Sequence, residues 1–230
     1  CTTISIKKTL KNSGCNSYPV QSKKLKSNCK CRKILAIFYS INGVTPQKLT
    51  LTNNFKMIQL QNAVNRFGKL ILDDLKKDGI KCWIAGGSLR DYFSDVHKET
   101  DFDIFFPNQE MFDRTSLWFK NNNADFTFEG DNGVKVDFEG KKFDLVKKFF
   151  ESPQHTIDAF DFTVSMFAVD NDKVYYGESS FIDLAKKQLM FNQITYPVST
   201  LKRSFRYYQK GFQMCDGEMR KLTEALFTEG

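Results

Sequence analysis

The chain has 230 residues and a formal charge of +7, with 41% hydrophobic and 27% charged residues, 23 Phe and only 5 Pro. That composition excludes collagen-like, low-complexity and wholly disordered chains, and the length allows one sizeable core with an appendage but no large multidomain assembly. No apolar run approaches the roughly 20 residues needed to cross a bilayer, and the short stretch Lys33–Ile41 has no cleavage pattern behind it, so a cytoplasmic protein with no membrane partner is expected.

The charge is unevenly spread. From Cys1 to Leu72 there is no Asp or Glu against 13 Lys and Arg, so the rest of the chain holds 21 basic and 27 acidic groups. Residues 1–50, rich in Ser, Asn and Thr, read as a basic N-terminal extension drawn to phosphate backbones by counterion release, or as a plain solvated linker. Cys1, Cys15, Cys29 and Cys31 fall in this segment, but they do not form the two tight pairs of a structural zinc site, and no metal is assigned to them. Cys82 and Cys215 sit in apolar contexts and read as reduced core thiols.

Past the extension, Thr52, Asn53 and Asn54 offer capping side chains, and Leu60, Val64, Phe67, Ile71 and Leu75 recur at helical spacing as far as Lys77. Lys77-Asp78-Gly79 closes that helix. Ile80–Ala85 reads as a buried strand running into Gly86-Gly87, with a brief helix from Ser88 to Ser94. Asp101–Phe106 alternates and is rich in aromatics, which predicts a second strand, halted by Pro107. Further strands are predicted at 125–128, 134–138, 142–146 and 173–176, with 162–169 either helix or strand by periodicity. Helices are predicted at 181–189, 199–213 and 218–227. The order is mixed α+β followed by helices.

Two features of this succession carry chemistry. A strand delivers Gly86, Gly87 and Ser88 to the start of a helix, so the backbone can approach a phosphate and aim free N–H groups at it, and Arg90 can add a fork of donors. Downstream, Asp101 and Asp103 are separated by one residue on a strand, so both carboxylates project from one face. Two like charges so close repel, and the usual remedy is a hard divalent cation shared with substrate phosphates. Taken singly, a Gly-Gly turn is more often a packing device and an Asp-x-Asp a solvated strand face. Together they are what nucleotidyl transfer requires.

Read as Gly86-Gly87-Ser88-Leu89-Arg90-Asp91 followed by Asp101-Phe102-Asp103, these residues resemble the nucleotidyltransferase superfamily. The narrower resemblance is to the head domain of poly(A) polymerases and CCA-adding enzymes of the class found in bacteria and their phages. It continues in Lys142–Val146, in Asp161-Phe162-Thr163-Val164, in Phe181–Lys187 and in Leu201–Phe212, spanning residues 80 to 214. The fold it implies is a polymerase β-like mixed sheet with flanking helices, a catalytic head over 51–178 and a helical neck over 179–230. It implies Asp144 as a third carboxylate beside Asp101 and Asp103, the three being catalytic and holding a two-ion magnesium site that manganese can also fill. Gly86, Gly87, Ser88, Arg90, Asp161, Arg203 and Arg206 are the implied nucleotide-binding residues, with Asp161 either structural or ribose-positioning. The implied partners are a nucleoside triphosphate and an RNA or tRNA acceptor, and a phage-encoded member would act in the host cytoplasm.

The sequence also departs from the pattern. Ala159 and Phe160 stand where the family has two Arg, and Ser165 replaces an Asn. Tyr196–Thr200 stands in place of the Glu-Asp-x-x-Arg that selects the incoming base, which argues against CCA synthesis, and the chain ends soon after the neck, implying a compact or truncated relative. Among aromatics, Tyr207 is the expected base contact along with Phe191 and Tyr196, while Phe205, Tyr208 and Phe212 are expected in the core. Lys147 and Lys148 read as a solvated strand end, and His97 and His155 receive no catalytic role. Three functions follow: transfer of a nucleoside monophosphate to an RNA 3′-hydroxyl, the same transfer to a protein or small molecule, or an inactive relative that only binds.

Overall fold

The structure is a computed structural model that describes residues 46–94, 96 and 101–228, and of residues 46–55 the backbone only. The four N-terminal cysteines, His97 and nearly all of the basic extension lie outside the described residues. A long helix, α1 (Pro46–Phe67), runs through a π-helical turn, Gly68–Leu72, into α2 (Asp73–Lys77). It starts earlier than the Asn-rich stretch suggests: Pro46 supplies a helical φ at the first position, and Thr52–Asn54 lie inside the helix, past its first turn. Val64, Phe67, Ile71 and Leu75 are buried along one side, as their spacing predicts. Gly79, at a φ of +67°, ends the unit with its N–H donating to the Lys76 carbonyl while the Ile80 N–H reaches the Leu75 carbonyl. Those two bonds cap carbonyls that the helix leaves open, and the left-handed backbone between them favours glycine.

Seven strands form one mixed sheet in the order β3-β4-β5-β2-β1-β6-β7, where β1 is Trp83–Ala85, β2 Phe102–Phe105, β3 Asp125–Gly130, β4 Gly133–Phe138, β5 Lys141–Val146, β6 Phe167–Val169 and β7 Val174–Tyr176. All neighbours pair antiparallel except β2 and β5, which run parallel. Residues 162–169 divide into a 3₁₀ turn, Thr163–Ser165, and the short β6. The helices are α3 (Gly87–Phe93), α4 (Gln109–Asn121), α5 (Pro153–Asp158), α6 (Ser180–Lys186), α7 (Pro197–Gln209) and α8 (Asp216–Thr228).

Period-two alternation sorts the strands between two cores. Ile84, Ile104, Val134, Val136, Phe143 and Leu145 join Phe67, Ile71 and Leu75 in the main core. Trp83, Ala85 and Phe105 point the other way into a smaller cluster with Ile157, Met166 and Ala168. There α5 is pinned by the Trp83 indole, whose Nε1–H donates to Thr156 Oγ1 at 2.8 Å. By the same alternation Asp103, Asp144 and Lys135 belong to the second face, which hydrocarbon covers only in part.

Candidate active site

The parallel pairing of β2 and β5 sets Phe102 opposite Phe143, Asp103 opposite Asp144 and Ile104 opposite Leu145. The antiparallel pairing of β4 and β5 sets Lys135 opposite Asp144. Lys135, Asp144 and Asp103 therefore form a row across three strands, and Asp101 lies two residues before Asp103 on the same side. The Lys135 ammonium donates to both oxygens of Asp144, at 2.8 and 3.1 Å, and lies 3.9 Å from Asp101 Oδ2. Its pKa is raised, chiefly by the hydrogen bond to Asp144 and with help from the neighbouring negative charges, against a smaller loss from burial. Asp103 is pushed up to about 7, first by burial, then by the Asp144 and Asp101 carboxylates, with Lys135 and Arg90 opposing.

The glycine turn stands beside this row. Gly86 has φ +87° and ψ −125°, a backbone conformation reserved in practice for glycine. A Cβ placed there would lie 3.8 Å from Asp103 Oδ2 and 3.7 Å from the ring of Phe160. The turn is fixed by its own hydrogen bonds: the Gly86 N–H donates to the Phe167 carbonyl at 2.8 Å, and the Gly86 carbonyl accepts the Arg90 N–H at 3.1 Å. Ser88 is buried, and its hydroxyl finds no hydrogen-bond partner among the described residues.

The remaining expected residues are placed differently. Arg90 is buried, with Nε and Nη2 each 2.7 Å from Asp91 Oδ1 and Nη1 donating to the Tyr207 hydroxyl at 3.1 Å, so its fork ties α3 to α7. Asp161 is buried too; its Oδ2 accepts from Thr200 Oγ1 at 2.8 Å and from Arg203 Nε at 2.7 Å, and Arg203 Nη2 makes a second contact to it. Asp161 and Arg203 thus clamp α7 to the segment that leads into the 3₁₀ turn, while Arg206 is exposed on the same helix. Among the aromatics the expectation is reversed. Tyr207 lies inward, against Phe162 and Phe212, with its hydroxyl hydrogen-bonded to Ser165, whereas Phe205 and Tyr208 are 63% and 69% exposed. Helix α7 turns inward the side that carries Thr200, Arg203 and Tyr207, not the side that carries Phe205 and Tyr208. Phe212, as expected, is buried, Phe191 packs on Phe162, and Tyr196 is exposed.

Two residues near the carboxylates have no counterpart in the sequence-based assignment. Lys135 was legible as a polar position in the alternation of Val134-Lys135-Val136, but its partner depends on strand register. Phe160, which stands where the resemblance calls for Arg, packs on Phe105 with ring centroids 6.0 Å apart and borders Gly86. Cys82 is buried, and burial pushes its thiol up to about 12, so it is a core thiol as expected; Cys215 is free and partly exposed. A cavity of about 740 Å³ opens elsewhere, among Lys69, Asp78, Arg114, Trp118 and Glu139, and contains none of these site residues.

The donor set is carboxylate oxygen throughout, which suits magnesium or manganese. Asp103, crowded by two like charges, is the group that a cation would relieve. As the side chains stand, no group of three or more His, Cys, Asp or Glu among the described residues is gathered to hold a metal ion. Lys135 is the cation now drawn against Asp144 and toward Asp101. The chemistry and the strand register fit the ion; the side chains would have to close around it.

No helix among the described residues is long and apolar enough to cross a membrane. The fold is that of solved tRNA-processing enzymes at low sequence identity. A tRNA-processing enzyme with CTP superposes with a TM-score of 0.52 at 17% identity, covering 68% of this chain and 46% of its own. A CCA-adding enzyme with ATP gives 0.55 at 12% identity, covering 74% and 44%, and the Thermotoga maritima CCA-adding enzyme complexed with tRNA gives 0.51 at 13%, covering 84% and 44%. The chain thus spans less than half the length of these proteins. No curated protein matches its sequence. The family model that matches is that of the Gad2, or Gabija anti-defense 2, family protein; it takes in residues 55–187, more than half of the sequence, and the chain belongs to that family.

Proposed function

We propose that the protein is a metal-dependent nucleotidyltransferase that moves a nucleoside monophosphate from a nucleoside triphosphate to an acceptor hydroxyl and releases pyrophosphate. The observation that carries this reading is the row on β2 and β5, Asp103 opposite Asp144 with Asp101 beside them, next to a glycine turn whose Cβ position lies 3.8 Å from Asp103. Asp101, Asp103 and Asp144 would hold magnesium, which when bound lowers the pKa of an acceptor hydroxyl and stabilises charge on the departing pyrophosphate. Gly86 and Gly87 leave the space into which phosphates come close to the backbone N–H groups of the first turn of α3, those of Gly87 and Ser88, while the Gly86 N–H is held by the Phe167 carbonyl. Arg90, held by Asp91 and Tyr207, sets the position of that turn against the neck and contributes positive potential from behind it. Asp161 and Arg203 orient α7, whose exposed Arg206 and Tyr208 face the solvent from which an acceptor arrives.

The basic front end supports an RNA 3′-hydroxyl as acceptor. Membership of an anti-defense family supports a second reading, in which the acceptor hydroxyl belongs to a component of the Gabija defence and the transfer disarms it. Incubation with magnesium, each α-labelled nucleoside triphosphate, and either RNA or Gabija proteins separates the two. Label in RNA carries the first reading and label in protein the second. In either case Asp101→Ala and Asp144→Ala should lower transfer at least about a hundredfold, as loss of electrostatic stabilisation at a reacting centre does. Transfer that survives both substitutions would overturn the metal-centred reading.

A further inference from the structure

Lys135 occupies the position that a metal would contest. Its ammonium bonds both Asp144 oxygens and stands 3.9 Å from Asp101 Oδ2, so one side chain touches two of the three carboxylates assigned to the cation. It does so from β4, a strand that contributes nothing else to the site, and the register of β4 on β5 leaves it no other place: Lys135 faces Asp144 directly. The side chain is 48% exposed, so its flexible stem has solvent into which to withdraw. A lysine charge and a divalent cation compete for these oxygens, because two positive charges held a few ångströms apart repel each other.

Resting on the metal-centred reading above, we infer that Lys135 is a resident counter-cation which a divalent ion must displace before the centre is loaded. The site is then neutralised in part without metal, which keeps three neighbouring carboxylates compatible with a folded sheet, and it is loaded only where the incoming ion outcompetes an internal ligand. The cost of displacement is set by this one side chain and is independent of the phosphate-binding turn.

Manganese is the probe, titrated into nucleotide-free protein and followed by the electron paramagnetic resonance of the free ion. Lys135→Met, which keeps the stem and removes the charge, should bind manganese about tenfold more tightly than wild type, while Lys135→Arg should stay at the wild-type value. The position is half exposed, and Lys135→Gln serves as a second uncharged variant, with far-ultraviolet circular dichroism to verify that each is folded. Equal or weaker binding by both uncharged variants, with wild type still binding, overturns the role of Lys135 and leaves the metal centre standing. Tighter binding by Lys135→Arg overturns it as well, since the charge would then be irrelevant. If neither wild type nor any variant binds manganese, the metal-centred reading falls and this inference falls with it.

Discussion

Asp103 has an ionisation that the fold makes expensive. Loss of solvent around this half-buried side chain, together with the Asp144 and Asp101 carboxylates, pushes its carboxyl up to about 7. The folded state therefore holds the proton more tightly than the unfolded chain does. A group of this kind favours folding fully only below its unfolded pKa, and its contribution is lost as pH rises towards the folded value. Without divalent cation, stability should fall between about pH 4 and pH 7, with a slope of up to about 1.4 kcal/mol per pH unit from this one group, and level off above. Asp103→Asn keeps the shape and removes the charge. Urea denaturation in EDTA should show the variant more stable than wild type at pH 8 and nearly equal to it at pH 4. Parallel pH profiles for the two proteins would show that Asp103 is not the strained group. That strain is itself what a bound cation would relieve, so the same residue links folding to the proposed chemistry.

Among the elements, α7 shows how a partly polar helix face is docked. Tyr207 fills the space between Phe162 and Phe212, and its hydroxyl accepts from Arg90 Nη1 and shares a hydrogen bond with Ser165. Tyr207→Phe keeps the ring and strips a buried guanidinium of one acceptor, which should cost about 1–2 kcal/mol in chemical denaturation. Tyr208→Ala, on the exposed side, should change stability by no more than about 0.5 kcal/mol. If Tyr207→Phe instead left stability untouched and weakened nucleotide binding, the hydroxyl would be a ligand contact and not a strut. The contrast shows where sequence reading ran out. Strand positions, the glycine turn and the Asp-x-Asp face were legible because they depend on local alternation and on special backbone conformations. Which side of α7 turns inward was not, because its inward face is partly polar: Thr200 and Arg203 are drawn in by a buried carboxylate, Asp161, that lies 39 residues before Thr200. The pairing of Lys135 with Asp144 was hidden for the same reason, since register across strands is a non-local fact. Helix α4, to which the sequence analysis assigns no element, did carry local signals: Asn108 caps it through Met111 N–H, and Phe112, Thr115 and Phe119 are buried at helical spacing. Helix α5 likewise begins with Ser152 and Pro153, a cap and a first-turn proline, but is too short for periodicity to register.

At the scale of the whole molecule the charge is split along the chain. Residues 1–72 carry 13 Lys and Arg and no acid, and the remainder carries 27 acids against 21 bases. A front end of that kind adds affinity for a polyanion without adding specificity, because each phosphate it neutralises releases a counterion. Residues 1–45 hold nine of those basic groups. A chain starting at Pro46 retains all of α1 and every residue of the candidate site. If RNA is the acceptor, that shortened chain should bind single-stranded RNA more weakly than the full chain, and its plot of log affinity against log salt should be shallower by roughly 0.7 for each phosphate that residues 1–45 neutralise. Filter binding at several potassium chloride concentrations measures both quantities. Transfer to a small acceptor such as a dinucleotide, which the extension has no need to grip, should be little changed by the truncation. Were the two chains to bind RNA equally, with equal salt dependence, the basic segment would play no part in recruiting RNA, and the acceptor on a Gabija component would become the reading to pursue.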